Sequence, residues 1–547
     1  MALPDEGYSD GTHSEMTDSE MAFAGSEDDM SRLLSLALRL SPDQRKSVVE
    51  KLIESLPNHD KEAIARYCAS LTHFDPSQYL PNELMLSVLS YLSPRDLLAC
   101  GSVSRAWRDR ALDEKLWRCC FAQEGWRLDG DKINKVEAAA ADFLRRQGGY
   151  EPKGKARLMD WSPDPRTKPS LFRPGSVEEG RPRISWPYLF KHRTRLERNW
   201  EKDGSYGMFS LPHPNHPHEG HTECVYTVQF TPLYVVSGSR DRTIRRWDLT
   251  KRRLIGQPLV GHTASVLCLQ FDERPRHDMI ISGGSDANVI IWRFSSGEIV
   301  RKLDRAHDES VLNLRFDDRY LVTCSKDNVV KVWNRHAIDC DDPIVPTYKL
   351  DECANIPLSL DADGRIPEFT LLAQLLGHQA AVNAVMIHDN TIISASGDRS
   401  IRAWNIKEAN MVKQYSGHAK GIACVQYDGR RIVSGSSDNT IRIYDAATQS
   451  EIACLIGHSN LVRTVQARFG DLDTVTDDML DVRNNTQAAA RADQPRTHAV
   501  DNNRIFKLQF DARRIICCSQ NRVVVGWDFA NGDRDLECVG DWCLETV

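Results

Sequence analysis

The stretch of sequence that decides the fold covers residues 417–445 and reads GHAKGIACVQYDGRRIVSGSSDNTIRIYD. Its apolar residues alternate with polar ones over short runs separated by Gly, Ser, Asp and Asn, which is the pattern of short β-strands joined by turns. At fixed distances after His418 stand Ser434 and Asp438, and the aromatic Tyr444 ends the unit. Strands this short cannot bury a face alone, so the stretch predicts one member of a stack of similar units.

The same spacing recurs along the second half of the chain. Each copy starts at a Gly-His pair, or once at Ala-His: Gly220-His221, Gly261-His262, Ala306-His307, Gly377-His378, Gly417-His418 and Gly457-His458. In complete copies a Ser or Thr, an Asp and a Trp follow: Ser237, Asp241 and Trp247; Thr323, Asp327 and Trp333; Ser394, Asp398 and Trp404. A period of about 40 residues with this signature resembles the WD repeat, in which each unit is one four-stranded blade of a β-propeller.

The number of blades and the closure of the ring leave alternatives open. Seven units are expected, and the weakest follows His458, where Thr476-Asp477-Asp478 takes the place of Ser-x-Asp. The alternative is six blades and a long polar insertion from about residue 471 to 503. The last blade also needs a strand from elsewhere in the chain, for which residues 208–211 and the tail near 536–539 are the candidates.

The repeated His, Ser and Asp are also the residue types of a hydrolase triad. Catalysis needs one such constellation beside an oxyanion hole, whereas here near-copies recur with a Trp whose buried indole N–H needs a partner. We therefore expect a structural hydrogen-bond network in each blade. The chain has no Gly-x-Ser-x-Gly, Gly-rich phosphate loop or His-Glu-x-x-His, so neither an enzyme nor a cofactor is predicted.

A second informative segment covers residues 74–121. The Leu80-Pro81 pair precedes a Leu-rich helical pattern, a Pro follows that pattern, and the run Val-Ser-Arg-Ala-Trp ends at Trp107. The segment resembles the F-box, which docks on a Skp-type adaptor and through it on a cullin-RING scaffold. The resemblance implies that the following residues supply the contact or the core beneath it: Leu80, Pro81, Leu84, Leu89, Leu92, Val103 and Trp107.

The rest of the chain divides by composition. Residues 1–30 are acidic and poor in core-forming residues, which predicts disorder. Residues 31–72 form a Leu-rich helical region that either mediates homodimerisation or packs on the F-box. Residues 122–200 are an irregular, Pro-rich linker that ends in a basic amphipathic helix, and residues 205–540 are the propeller.

Composition narrows the class of function. The net charge of −7 does not favour nucleic acid as a partner, and no apolar run approaches the length of a membrane span. The 15 cysteines include no Cys-x-x-Cys pair, which predicts reduced thiols and a place in the cytoplasm, the nucleus or both.

The two resemblances together are those of a substrate receptor of SCF-type ubiquitin ligases: an N-terminal all-α region followed by an all-β WD-repeat propeller, without catalysis of its own. Protein substrates are then expected on the top face of the propeller, and the expected binding residues are Tyr226, Arg240, Lys326, Asn383, Arg463, Leu312 and Phe506. The three cations would hold a phosphorylated degron, whereas Leu312 and Phe506 would hold an apolar one, and both possibilities stay open. The alternative function is a WD-repeat scaffold whose F-box has a non-degradative role.

Overall fold

The computed structural model describes residues 31–72 except 33, 75–146, 171–173, 181–339 except 203, 342, 345, 361, 364–467 and 504–543. The expected disordered tail at residues 1–30 and the motif at 476–478 lie outside these ranges. The chain divides into two compact units. The first contains residues up to Leu92 together with Asp96–Ala111, and the second contains Ser93–Arg95 and everything from Leu112 onwards.

Ten α-helices are named here. They are α1 Pro42–Ser55, α2 Asn58–Thr72, α3 Pro76–Tyr79, α4 Asn82–Leu89, α5 Pro94–Cys100, α6 Arg105–Ala111, α7 Glu114–Gln123, α8 Gly130–Arg146, α9 Trp186–Glu201 and α10 Arg534–Trp542. Local sequence explains where several begin. Ser41 and Gln44 form a capping box at the start of α1, and Asp75 and Asp113 accept backbone N–H bonds at the starts of α3 and α7. No helix in the described part of the chain is both long and apolar enough to cross a lipid bilayer.

Within the described ranges, the strands form six antiparallel sheets. The first sheet contains Val225–Phe230, Tyr234–Ser239, Thr243–Asp248, Arg253–Leu254 and Leu259–Val260, and the second contains Val266–Asp272, Met279–Gly284, Val289–Arg293 and Ile299–Leu303. The third contains Val311–Phe316, Tyr320–Ser325, Val330–Asn334 and Leu371–Leu375, and the fourth contains Val382–His388, Thr391–Ser396, Ile401–Asn405 and Asn410–Tyr415. The fifth contains Ile422–Tyr427, Arg431–Ser436, Thr440–Asp445 and Glu451–Ile456, and the sixth combines Gly207–Leu211 with Ile505–Phe510, Arg514–Ser519 and Val524–Asp528. Each sheet packs its apolar side chains against the next; the cluster around Ile244 and Trp292 is one such core.

The ring is closed by a strand that precedes the first repeat. Gly207–Leu211 pairs antiparallel with Val524–Asp528, so that the last sheet takes its outer strand from the N-terminal side of the propeller. Of the two candidate closing segments, residues 208–211 are therefore the right one. The tail near 536–539 is helical and lies in α10.

A set of glutamines joins the innermost segments of neighbouring units. Each Gln side chain accepts a hydrogen bond of 2.5–2.9 Å from a backbone N–H of the next inner segment: Gln229 from Phe271, Gln270 from Phe316, Gln426 from Ala467, Gln466 from Phe510 and Gln509 from Phe230. Residues 461–467 thus occupy an inner position between the sheets that start at Ile422 and Ile505. The described residues contain seven such inner segments, six of which carry a complete sheet.

Candidate adaptor-binding surface and propeller channel

The first candidate site lies on α4 and the turn that follows it. Leu84, Val88 and Tyr91 follow one another at helical spacing and are exposed, Tyr91 by 88%. The opposite side of α4 places Met85 and Leu89 in the core, each only 1% exposed. A helix that buries one apolar face and exposes a second has room for a partner on the exposed face.

The seven residues expected at the adaptor contact fall into three groups. Leu89 is a core residue. Pro81, Leu84 and Val103 are exposed, whereas Leu80, Leu92 and Trp107 are half-buried. The exposed Val88, Tyr91 and Leu98 were not singled out as contact residues, although the spacing of Val88 and Tyr91 from Leu84 was visible in the sequence.

Trp107 has a clear structural role. Its indole Nε1–H donates to Oδ1 of Asp75 at 3.0 Å, and the same oxygen accepts from the backbone N–H and the hydroxyl of Ser77. Asp75 is the N-cap of α3, so Trp107 on α6 holds the segment that leads to Leu80 and Pro81. The side chain positions the candidate surface from beneath.

The His, Ser and Asp of the repeats form the expected network. In the first sheet, Trp247 donates to Ser237 Oγ at 2.9 Å, Ser237 lies 2.8 Å from Nε2 of His221, and Nδ1 of His221 lies 2.9 Å from Asp241. The complete arrangement recurs in three more sheets, where Trp292, Trp333 and Trp404 are the donors, and the fifth sheet keeps its His–Ser–Asp part with Tyr444 at the Trp position. The His–Asp pairs in these sheets are His262–Asp286, His307–Asp327, His378–Asp398 and His418–Asp438. The Ser and Thr hydroxyls are completely buried, so a substrate cannot reach them.

The electrostatics of these networks favour a neutral imidazole beside an ionised carboxylate. Burial lowers the pKa of His221, and its bond to Asp241 offsets this only in part. Burial would raise the pKa of Asp241, but hydrogen bonds from His221 and Thr243 hold that pKa well below its usual range. The Nδ1–H of the neutral ring then donates to Asp241, and Nε2 accepts from the Ser237 hydroxyl. The network is a structural clamp.

The second candidate site is a cavity of about 530 Å³ at one end of the propeller channel, which we call the upper cavity. Its lining includes five of the seven expected substrate residues: Tyr226, Leu312, Asn383, Arg463 and Phe506. Leu267, Leu461 and Ala423 add apolar surface. The register of the repeats therefore brings side chains from different units to one place.

Contacts inside the upper cavity give these residues different roles. The rings of Tyr226 and Phe506 meet edge-to-face with centroids 5.1 Å apart, and the guanidinium of Arg463 lies 5.3 Å from the centroid of Phe506. Asn383 donates from Nδ2 to the carbonyl of Ile422 at 2.7 Å, so that its amide already bridges two sheets. The aromatic pair and Arg463 remain the groups that can meet a ligand.

Arg240 and Lys326 are not part of the cavity lining. Arg240 Nε lies 3.7 Å from Glu223, and Lys326 Nζ lies 3.4 Å from Glu309, with both cations more than half exposed. Each positive charge is thus accompanied by a carboxylate from its own unit. Of the three expected cations, only Arg463 lines the cavity.

One group of side chains has the composition of a metal site. The ligand atoms of His216, His218 and Glu219 lie within 4.8 Å of one another. The carboxylate of Glu219, however, accepts two hydrogen bonds from Arg253, at 2.8 and 2.6 Å, and one from the Leu254 N–H. Metal binding would have to break these bonds, so Glu219 is better explained as an anchor for the strand at Arg253.

Two family models match the chain. The F-box-like model matches residues 77–123. The model of the WD domain, G-beta repeat, matches five stretches: 213–248, 254–293, 297–334, 369–405 and 409–445. The chain thus contains an F-box-like segment followed by WD40 repeats.

Two relatives carry the same two features in their names, and a third is named as a subunit of an SCF complex. F-box/WD repeat-containing protein pof1 of Schizosaccharomyces pombe is 27% identical over 212 residues, which are 33% of this chain and 33% of pof1. F-box/WD repeat-containing protein 7 of Drosophila melanogaster is 28% identical over 236 residues, which are 42% of this chain and 14% of that protein. The probable E3 ubiquitin ligase complex SCF subunit sconB of Talaromyces marneffei is 26% identical over 197 residues, which are 31% of this chain and 29% of sconB. The match thus spans a third or less of each of these relatives.

Among solved structures, the WD40 β-propeller domain of Doa1 aligns with a TM-score of 0.41 at 18% identity. The alignment covers 56% of this chain and 94% of the Doa1 domain.

Proposed function

We propose that this F-box-like, WD40-repeat chain is the substrate-recognition subunit of an SCF-type ubiquitin ligase. The F-box docks on a Skp-type adaptor and thereby on a cullin-RING scaffold, and the propeller holds a protein substrate for ubiquitination and proteasomal degradation. The observation that carries the proposal is the exposed apolar face on α4 inside a segment that matches the F-box-like model. The printed name of sconB, a probable SCF subunit, supports it.

The adaptor contact is proposed for the exposed part of the F-box. Leu84, Val88 and Tyr91 form its centre, with Leu98 and Val103 as further apolar contacts. Leu89 lies in the core beneath the helix, and Trp107 holds the α3 segment through Asp75. Burial of three or four such side chains against a partner would supply roughly 1.5–3 kcal/mol each before the cost of association.

In this role the chain itself makes and breaks no covalent bond. Holding the substrate near a ubiquitin-charged enzyme converts a bimolecular encounter into a reaction at high effective concentration. The buried histidine networks are assigned to stability. The proposed compartment is the cytoplasm, the nucleus or both, where thiols are kept reduced.

The substrate is proposed to bind in the upper cavity, through Tyr226, Leu312, Arg463 and Phe506. The composition of that wall favours a degron with apolar side chains. The phosphodegron alternative depends on Arg240 and Lys326, which would first have to exchange Glu223 and Glu309 for phosphate. Arg463 is the cation that could serve either kind of degron.

We also propose seven blades, of which the sixth in chain order is built on residues 461–467. Gln426 accepts a hydrogen bond from the Ala467 N–H of this segment, and Gln466 of this segment accepts one from the Phe510 N–H. The glutamines between complete sheets bond in the same way. A loop that merely crosses the channel has no need of both bonds.

The adaptor contact is tested with purified full-length chain and a recombinant Skp-type adaptor in a binding titration. Leu84→Asp and Val88→Asp each place a charge in the proposed interface and should reduce adaptor affinity at least about tenfold. Ser90 is also exposed but lies about a third of a turn around the helix from Leu84, outside the proposed contact, so Ser90→Asp is the matched control. Equal affinity for the wild type and both interface variants would exclude this surface, while failure of the wild-type chain to bind adaptor would refute the proposed function.

A further inference from the structure

Two cations stand deep in the propeller channel. Arg315 and Lys507 both line the upper cavity and also a second cavity of about 450 Å³, the lower cavity, whose lining includes Gly540 and Cys543. Both side chains are half-buried. Because they belong to both cavities, they lie where the two meet.

Arg315 occupies a position that carries glutamine in most of the other units. It stands eight residues after His307, as Gln229 stands eight residues after His221, and Gln270, Gln426 and Gln466 follow the same rule. Those glutamines bond the next inner segment, whereas Arg315 Nε contacts Met386 Sδ at 3.3 Å, and Met386 holds the equivalent position in the next unit. The terminal guanidinium nitrogens are thus not used for joining inner segments.

Lys507 is likewise exceptional at its own position. Counted from the repeat histidines, or by pairing Phe506 with Tyr226, the equivalent residues are neutral: Thr227, Cys268, Asn313, Ala384, Cys424 and Thr464. Burial, together with the positive charge of Arg315, lowers the pKa of Lys507 to about 8. A lysine in this place is held beside a like charge in a poorly solvated channel.

Among the residues that the structure describes, neither cation forms an ion pair with a carboxylate, and the charged group beside Lys507 is Arg315. The acidic residue that lines the lower cavity, Asp511, accepts hydrogen bonds from the backbone N–H groups of Arg513 and Arg514, at 2.7 and 2.5 Å. Two like charges without a counter-ion in a half-buried channel are unfavourable, and an anion placed between them would reverse this.

We propose that Arg315 and Lys507 bind the free C-terminal carboxylate of a peptide that enters through the upper cavity. The proposal rests on the proposed function and gives its substrate class: proteins whose last residues are apolar and whose terminus is free. Tyr226, Leu312 and Phe506 then contact the apolar side chains, while the two cations meet the charged end. A chain terminus can end at the two cations, whereas an internal segment would have to continue past them or turn and leave through the same opening.

The internal repeats supply variants that keep the fold. Arg315→Gln introduces the residue that five equivalent positions already carry, and Lys507→Thr introduces the residue found at Thr227 and Thr464. Each removes one cation while leaving a side chain that the neighbouring units accommodate. Thermal denaturation of both full-length variants checks that the propeller is intact.

The test follows the chemical reactivity of Lys507 in the full-length protein by reductive methylation and mass spectrometry. The probes are N-acetyl-Leu-Phe-Leu with a free carboxylate, the same tripeptide as its amide, and inorganic phosphate. We expect the free acid to slow Lys507 labelling about tenfold at saturation, the amide to leave it unchanged, and Arg315→Gln to weaken protection by the acid about tenfold, the effect of losing one charged hydrogen bond. In a direct titration, the affinity for the free acid should fall by a similar factor in Lys507→Thr.

Several outcomes would overturn the carboxylate site. They are equal protection by acid and amide, full protection in Arg315→Gln, or protection by inorganic phosphate without protection by the free acid. The comparison of acid and amide in the wild type decides the matter even if a variant fails to fold. No adaptor or ligase component is present, so failure here leaves the adaptor titration unaffected, and failure of that titration leaves the channel site standing.

Discussion

At the scale of single residues, the chain uses one hydrogen-bond pattern repeatedly and departs from it at a few positions. The His, Ser and Asp spacing could be predicted from the sequence because a network with fixed geometry needs fixed separations. Five of the residues that the family resemblance led us to expect at the substrate site line the upper cavity. Arg240 and Lys326 could not be assigned in this way, since their pairing with Glu223 and Glu309 depends on side-chain directions that a repeat pattern does not contain.

Replacement of Asp398 by Ala tests the structural role of the network. The carboxylate accepts from His378, from the Gln379 N–H and from Ser400, so its loss leaves buried donors unpaired. We expect a loss of about 1–3 kcal/mol in the free energy of unfolding, measured by denaturant titration. The control is Lys407→Ala at an exposed position in the turn between two strands of the same sheet, and it should change stability by less than about 0.5 kcal/mol. Unchanged stability with lost substrate binding would argue for a functional Asp398.

The same networks predict how stability depends on pH. Burial lowers the pKa of His221, His307, His378 and His418 in the folded chain, whereas the unfolded chain takes up protons near the ordinary value of about 6.5. Below that pH the unfolded state binds more protons, so stability should fall as pH falls, by at most about 1.4 kcal/mol per pH unit for each histidine. Denaturation midpoints at pH 7.5, 6 and 5 measure this. A midpoint that stays constant over the range would contradict neutral buried imidazoles.

At the scale of elements, helices α1 and α4 show what the sequence alone could and could not predict. The pattern around Leu80–Leu92 predicted a helix, and the structure places α4 there with Leu89 inward and Leu84 outward. Which apolar residue faces outward could not be predicted, because both faces of α4 are apolar. Helix α1 buries no residue in the described structure, and its Val49 and Leu52 are exposed.

Self-association through α1 remains a prediction. Val49→Asp combined with Leu52→Asp should convert a dimer of the chain bound to its adaptor into a monomer, because charges would replace apolar side chains in the interface. Lys51→Asp places a carboxylate on the opposite side of α1 and serves as the control. Multi-angle light scattering gives the masses. A wild-type complex that is already monomeric, or a double variant that stays dimeric, would refute dimerisation through these residues.

At the scale of the whole molecule, the second unit joins the end of the F-box match to the propeller through α9. Trp117 on α7 meets Phe190 of α9 edge-to-face at 5.1 Å, and Trp200 at the other end of α9 stacks on Phe529 at 4.1 Å. Tyr188 donates to Asp535 of α10 at 2.6 Å. The sequence indicated a basic helix here, but its buried aromatic contacts depend on distant parts of the chain and were not predictable.

The hydrogen bonds of Gln466 allow a test of whether residues 461–467 form an inner segment of a seventh blade. Gln466→Ala should destabilise the chain by about as much as Gln426→Ala, roughly 1 kcal/mol, because each removes a pair of bonds between inner segments. Exposed Gln414→Ala provides a Gln-to-Ala change outside the ring. Stability of the Gln466 variant equal to that of the Gln414 variant would favour six blades and a passing loop.

Affinity purification followed by quantitative mass spectrometry tests the proposal that this chain recruits proteins to an SCF-type ligase for degradation. The full-length chain is purified from cells with and without proteasome inhibition, beside the Leu84→Asp variant. We expect a Skp-type adaptor and a cullin to be purified with the wild type and to be lost from the variant. We also expect a set of other proteins to accumulate on the wild type only when the proteasome is inhibited. A purification in which adaptor and cullin are absent, or in which both are present but no bound protein changes with inhibition, would contradict it; the second result would favour a non-degradative scaffold.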